Sequence, residues 1–186
     1  MKRGFTIVEL LIVIVVIAIL ATISVVAYNG VQQRASNTAI IDAASKAKRM
    51  IEVYIATYDK YPHIVDGYVC ITTTTSCRNN SGPMASTPAF DTEVARVGSL
   101  PRSAPLASDV RGGVTYMYNA TRTIDGVSAP VVIRYYLLGA YSDCGMKVID
   151  SDTSQAASTS SNKYTIGDVG SSGSTLCAVK VSVSGT

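Results

Sequence analysis

From Leu10 to Tyr28 the chain reads LLIVIVVIAILATISVVAY, without a charge, a proline or a glycine. At ~1.5 Å per helical residue this run covers ~28 Å, close to the ~30 Å hydrocarbon core of a bilayer. It predicts a membrane-spanning helix. Met1-Lys2-Arg3-Gly4 precede it. Lys2 and Arg3 hold that end in the cytoplasm, so the remainder crosses outward. The two residues also supply most of the +3 net charge of the 186-residue chain. The length suits one globular domain with an appendage. At 47% hydrophobic and 16% charged, against ~25% charged in an average domain, the composition excludes bulk disorder. It also argues against a nucleic-acid binder dominated by charge.

Three readings fit a basic start and an apolar run. One is an ordinary secretory signal peptide, with small residues Val25 and Ala27 near a cleavage point. The second is a plain single-span anchor. The third must account for Glu9. A charge at the centre of a membrane helix costs roughly 2.5–3.5 kcal/mol, and less near the interface. Neither of the first two readings needs a carboxylate there, although one at the membrane surface can stay hydrated.

The segment Gly4-Phe5-Thr6-Ile7-Val8-Glu9-Leu10-Leu11, after a basic tripeptide and before an apolar run, resembles the class III signal of type IV prepilins. The resemblance covers about 25 residues and implies a set of roles. A membrane aspartyl peptidase cuts after Gly4 and N-methylates the new terminus, Phe5. Glu9 then lies fifth in the mature chain. There it attracts the N-terminal amine of a neighbouring subunit, which answers the need of a buried carboxylate for a partner and favours one axial stagger. Cohesion comes from packing apolar helices about an axis. Contacts that do not close give a helical filament. This chain departs from many relatives in lacking a proline late in the apolar segment, where it has Thr22, Ser24, Val25 and Val26. Asn29-Gly30 follows, and glycine costs ~1 kcal/mol in a helix interior. A kink or local melting is therefore an expectation at Gly30.

Val31 to Tyr58 continues without proline. Ile40, Ala43, Ala47, Met50 or Ile51, Tyr54 and Tyr58 recur at three- and four-residue steps, one apolar stripe of an amphipathic helix. Gln32, Gln33, Arg34, Asn37, Lys46, Lys48, Arg49 and Glu52 fall on the other face. Lys46, Lys48 and Arg49 form a basic cluster, read as a solvated helix face or as a contact for acidic groups of a neighbour. Pro62 stops the helix. One long helix thus runs from near Phe5 to about Asp59.

Beyond Pro62 the chain is rich in Thr, Ser, Gly and Tyr. Tyr68–Thr72 is a short strand. Thr87 N-caps a short helix with Pro88 in its first turn and Phe90, Val94 and Val97 facing inward. Residues 114–119, 131–138 and 176–183 are β-rich, and Ile124-Asp125-Gly126-Val127 reads as a hairpin turn. Ser151 to Ser161 is low-complexity, read as a flexible surface loop or as a glycosylated or receptor-facing one. The fold class is α+β: a long N-terminal helix packed against an antiparallel sheet. The domain organisation is a leader (1–4), an apolar membrane or filament-core helix (5–30), an amphipathic second half (31–59) and a globular head (60–186). The division between helix and head matches the pilin architecture.

The four cysteines, Cys70, Cys77, Cys144 and Cys177, allow three pairings. The head lies outside the cytoplasmic membrane, where disulfides persist. Cys70–Cys77 closes a short loop. Cys144–Cys177 encloses the Ser-rich stretch and resembles the C-terminal disulfide-bounded loop of many type IV pilins. These two pairs are the favoured connectivity. No metal is expected: CxxC spacing is absent and His63 is the single histidine. A catalytic cysteine with His63 as base is also disfavoured, with that one histidine beside Pro62 at the helix end.

No P-loop, GxSxG, HExxH or Rossmann pattern occurs, so no enzyme and no cofactor are expected. Asp143, Asp150 and Asp152 flank Cys144. Asp150 and Asp152 are oxygen donors suited to calcium, but the spacing of an EF-hand is missing, and a solvated acidic turn is the simpler reading. Asn79-Asn80-Ser81 and Asn119-Ala120-Thr121 match the N-glycosylation pattern. Arg96, Arg102 and Arg111 share one stretch with Glu93 and Asp109, so nucleic acid is not expected as the principal partner.

The resemblance therefore implies a structural pilus subunit that partners other pilin subunits, a prepilin peptidase and the pilus assembly machinery. It sits in the cytoplasmic membrane before assembly and in an extracellular filament afterwards, serving attachment to a host or surface ligand and twitching motility. Alternatives are a pseudopilin of a type II secretion system, a minor pilin for adhesion or DNA uptake, and a monomeric membrane-anchored binding protein.

Overall fold

The computed structural model of the protein describes residues 6–62, 67–72, 77–79, 82–84, 87–105, 112–124, 127–139, 144–146 and 174–181. Helix α1 spans Ile7–Tyr58. It is helical without a break through Asn29 and Gly30, so local melting does not occur there. A Cβ placed on Gly30 would meet nothing within 4 Å. The glycine thus lowers helix propensity without breaking the helix. The chain divides into two units, Met1–Ala35 and Ser36–Thr186.

In the second unit, the strands are β1 (Gly67–Cys70), β2 (Cys77–Asn79), β3 (Gly82–Met84), β4 (Val114–Tyr118), β5 (Thr123–Ile124), β6 (Val127–Ser128), β7 (Val131–Leu138) and β8 (Ser174–Lys180), with the short helix α2 (Pro88–Val94) before β4. The main sheet has the order β1-β4-β7-β8, antiparallel throughout. Its register pairs Val69 with Tyr116, Tyr116 with Ile133, and Ile133 with Val179. β2 pairs with β3, and β5 with β6. Ile124 pairs with Val127 on either side of Asp125-Gly126, a dipeptide favoured in two-residue hairpin connections. That hairpin is an excursion of its own between β4 and β7.

One face of α1 and one face of the sheet form a common core. Ile40, Ala43, Ala44, Ala47, Ile51 and Ile55 meet Val69, Tyr116, Ile133, Tyr135, Leu137 and Val179. The three alanines leave room for the strands to approach the helix backbone, while the isoleucines supply area, each worth ~1.5–3 kcal/mol when fully buried. Tyr58 departs from the expected stripe: it is 38% exposed and packs on Tyr54 with ring centroids 4.8 Å apart. The reverse holds for Asn37. Its polarity assigns it to the polar face, but the helical period aligns it with Ala44, Ile51 and Ile55; it is buried, and its amide grips one residue of β7 through two bonds. Its Nδ2 donates to the Leu138 carbonyl (3.1 Å) and its Oδ1 accepts from the Leu138 N–H (2.8 Å). The side chain thereby imitates a strand partner, which offsets the cost of burying an amide.

The other sheet face is buried too. Val132, Tyr136, Leu176 and Ala178 form a second apolar cluster with Ala129. Alternation in β8 therefore distinguishes two buried faces, not a wet one from a dry one. β8 begins earlier than expected, at Ser174, and ends at Lys180, opposite Val132. β1 ends before Ile71 and Thr72. The Ile71 N–H still reaches the Val114 carbonyl (2.9 Å), but at Thr72 the side-chain Oγ1 takes over, accepting from the Val114 N–H (3.0 Å).

Helix ends follow local chemistry. After Tyr58, α1 gives way to Asp59, whose φ of 49° is left-handed. The Asp59 N–H closes onto the Ile55 carbonyl at 2.8 Å, the single-bond αL termination. The stop thus comes before Pro62. Thr87 precedes α2 in an extended conformation but makes no side-chain cap. Pro88 in the first turn and Asp91 near the positive helix end remain as the start signals. Phe90 and Val94 are buried, and the Phe90 ring lies 4.8 Å from that of Tyr116. Val97 is half-buried against the same core.

Candidate assembly site

In the first unit, Thr6 and Glu9 close the N-terminus of α1 on each other. The Thr6 N–H and hydroxyl both donate to Glu9 Oε2 (2.8 and 2.7 Å), and the Glu9 N–H donates to Thr6 Oγ1 (3.2 Å). The Leu10 N–H reaches the Thr6 carbonyl (3.3 Å). This is a capping box, in which Thr and Glu three residues apart satisfy helix-end donors reciprocally. A carboxylate here also complements the positive end of the helix dipole. Both bonds land on Oε2, and Oε1 has no partner among the described residues. Thr6 is absent from the functional residues expected from sequence, although Thr-x-x-Glu ahead of an apolar run is its signature.

After Glu9 the helix presents apolar side chains all round. Ile7, Leu10, Ile12, Ile17, Leu20, Ile23 and Val31 are each more than half exposed, far beyond the apolar surface a soluble chain tolerates. The polar residues inside the run satisfy themselves: Thr22 Oγ1 donates to the Ile19 carbonyl and Ser24 Oγ to the Leu20 carbonyl, both at 2.7 Å. Such bonds let hydroxyls enter an apolar medium without an orphaned donor. This is a helix long and apolar enough to cross a membrane. Gly4 and Phe5 lie outside the described residues.

Residues 1–25 match a family model, the prokaryotic N-terminal methylation motif. It is the class III signal peptide of type IV pilins. No curated protein and no solved structure matches the chain. The motif marks type IV pilin-like and pseudopilin proteins, which are structural, not enzymatic. It implies processing by a prepilin peptidase and assembly with other pilin subunits. With the apolar helix, it points to membrane anchoring before assembly. The long helix and four-stranded antiparallel sheet form an α+β, pilin-like architecture.

In the second unit the structure brings the cysteines together as Cys70–Cys77 and Cys144–Cys177, with Cα atoms 5.5 and 5.9 Å apart. The first pair needs Gly113 beside it. At φ 80° a Cβ on Gly113 would lie 2.6 Å from Cys77 Sγ and 3.0 Å from its Cα. The second joins β8 to residues 144–146, and the Tyr135 hydroxyl donates to the Cys144 carbonyl (2.6 Å).

The basic cluster on α1 is divided. Lys46 pairs with Asp42 (2.7 Å) and Lys48 with Glu52, each one turn away. Arg49 is exposed and makes no ion pair among the described residues. Arg102 is tied to Asp91 (2.8 Å) and to the Ile71 carbonyl (3.0 Å), which further breaks up the arginine stretch. Arg96 is exposed, and Arg111 and Asp109 lie outside the described residues. Lys60 meets Glu93 at 3.2 Å, and that carboxylate, with Tyr54 contributing less, raises its pKa. Asn119 holds an Asx turn, accepting from the Thr121 N–H (3.0 Å) and hydroxyl (2.9 Å), which gives that Asn-x-Thr a local structural reason. His63, Asn80, Ser81, Asp143, Asp150, Asp152 and the 151–161 stretch lie outside the described residues. The described residues contain no metal-binding cluster.

Proposed function

We propose that the chain is a structural subunit of a type IV pilus, cleaved after Gly4, N-methylated at Phe5 and assembled through its N-terminal helix. The methylation motif over residues 1–25, running directly into an exposed apolar helix, carries this reading. In the mature subunit, residues 5–30 form the filament core, 31–59 back the head, and 60–186 form the head, held by Cys70–Cys77 and Cys144–Cys177. Glu9 sets the axial stagger. The capping box supports that role, because it fixes the carboxylate through Oε2 and leaves Oε1 for the Phe5 amine of a neighbour. In the filament the head faces outward and mediates surface attachment, with twitching motility following from filament extension and retraction.

The test is an intact mass of the protein recovered from sheared surface filaments, with and without reduction. Loss of Met1 to Gly4 plus one methyl group is the expected result, with a gain of four hydrogens on reducing the two disulfides. A mature chain starting at Asn29, or one retaining Met1, refutes the proposal. Subunit abundance in the same filaments separates a major subunit from a minor one.

A further inference from the structure

The second unit carries a groove of about 530 Å³ between α1 and the segment after α2. Met50, Leu100 and Pro101 give it an apolar lining, and Lys46 and Arg49 stand on the helix side. Gly98 makes the groove possible. At φ 150° it turns the chain onto the helix so closely that a Cβ there would sit 2.6 Å from Met50 Cε. The cation left to the groove is the Arg49 guanidinium, since Lys46 is paired with Asp42. Arg49 therefore offers a positive charge, above an apolar floor, to something outside the subunit.

The matching element lies at the end of the same helix. Tyr58 is 38% exposed. Asp59 beside it is exposed and has no ion pair or side-chain hydrogen bond among the described residues. Its left-handed backbone turns it out of the helical path. An aromatic ring next to a carboxylate complements an apolar groove next to a guanidinium, and Tyr and Arg are the side chains that dominate interface energetics. Tyr58 lies nine positions after Arg49. At 3.6 residues per turn they point to opposite sides of the helix, about 180° apart and ~14 Å apart along it. One rigid parallel neighbour cannot meet both at once.

We infer that this groove receives Tyr58 and Asp59 of a second copy of the chain, with Asp59 pairing to Arg49, as a heterologous contact between neighbouring subunits along the filament. The inference rests on the pilus-subunit reading above. The receiving copy offers its own Tyr58-Asp59 on the far side to a third copy, so the contact repeats without closing. It sets an axial offset of ~14 Å between the touching copies, a different pair from the one joined through Glu9 and Phe5, whose four-residue spacing gives ~6 Å.

Charge reversal tests it in the full chain, with filaments sheared from cells and measured against the cell-associated subunit pool. Arg49→Glu and Asp59→Arg should each lower the sheared fraction ~10-fold or more, because like charges then face each other. The double variant, with the pair restored in reverse, should return to within ~3-fold of wild type. Single variants that assemble normally, or a double variant no better than the singles, overturn the inference while leaving the pilus reading intact. A wild-type chain absent from filaments removes both. Melting of the detergent-solubilised full chain checks folding. Cross-linking of an Arg49→Cys/Asp59→Cys chain with a short bifunctional thiol reagent, which spans the gap left by the arginine side chain, gives a second readout: a ladder of increasing oligomers is expected. A product that stops at the dimer, or no cross-link in wild-type-like filaments, overturns the inference.

Discussion

Asn37 joins the long helix to the end of β7, and removing its amide should measure how firmly the two are held. Asn37→Ala deletes hydrogen bonds of 2.8 and 3.1 Å to the Leu138 peptide groups from a side chain only 4% exposed. An ordinary bond contributes ~0.5–1.5 kcal/mol net, and a buried group deprived of its partner costs ~1–3 kcal/mol. Leu138 is half-buried, so water offsets part of the loss. The sum for two bonds is about 2–4 kcal/mol. At ~2–4 °C per kcal/mol for a domain of this size, the melting temperature should fall by roughly 5–15 °C. Asn37→Leu keeps the branched four-atom skeleton, leaves no cavity and drops the amide, so it separates lost hydrogen bonding from a cavity. Gln32→Ala, at an exposed position five residues earlier on the same helix, should stay within ~0.5 kcal/mol. The assay is thermal and denaturant unfolding of the detergent-solubilised full chain, followed by near-ultraviolet tyrosine signals. If Asn37→Ala and Asn37→Leu both stay within ~0.5 kcal/mol of wild type, the strand-like clamp contributes nothing and the reasoning fails.

Three further outcomes follow from the geometry. Gly98→Ala forces a positive φ on a residue with a Cβ and drives that Cβ onto Met50. It should destabilise the head by ~1–3 kcal/mol, read as a lower denaturant midpoint, and a companion Met50→Ala that relieves the overlap should recover part of the loss. Burial raises the Tyr116 phenol above its ordinary 10.0, and Tyr61 shifts the same way. The folded state then keeps protons that the unfolded chain releases, so stability is full below pH ~10 and falls above it, by up to ~1.4 kcal/mol per pH unit for the buried Tyr116 and by less for Tyr61, which solvent screens. Tyr116→Phe should flatten that decline between pH ~10 and ~12 in denaturant titrations, and an unchanged slope would contradict the assignment. Thr6→Ala removes one half of the capping box, worth ~0.5–2 kcal/mol at the helix end. Amide exchange over the first turn, measured in micelles, should quicken several-fold while exchange across Ile40–Ile55 stays as in wild type.

The features legible in the sequence are those whose cause is local. The apolar run from Leu10 needs no tertiary partner to be recognised, and the motif around Glu9 is contiguous. The stripe through Ile40, Ala43, Ala47, Ile51 and Tyr54 follows the helical period, and all five residues are buried. Periodicity, however, reports which face a residue shares, not whether anything covers it. Tyr58 keeps the stripe's spacing and is still 38% exposed.

Asn37 shows the complementary limit. The helical period aligns it with Ala44 and Ile55, but its partner Leu138 lies 101 positions away, so residue type alone sends the amide to the polar face. The same limit applies to β8. Its alternation is visible, but Leu176 and Ala178 are buried in one apolar cluster while Cys177 and Val179 are buried in the other. Period two sorts side chains into faces without saying that both are dry. Thr6 differs again, because its signature is present and local. The motif around Glu9 directs attention to a partner in another subunit, whereas the structure first engages one of its carboxylate oxygens within the chain. Polar residues on this helix thus fall into two kinds. Thr6, Thr22, Ser24 and Asn37 satisfy themselves inside the subunit, whereas Arg49 and Asp59 show no such partner among the described residues. The second kind is where contacts between copies can be specified by charge.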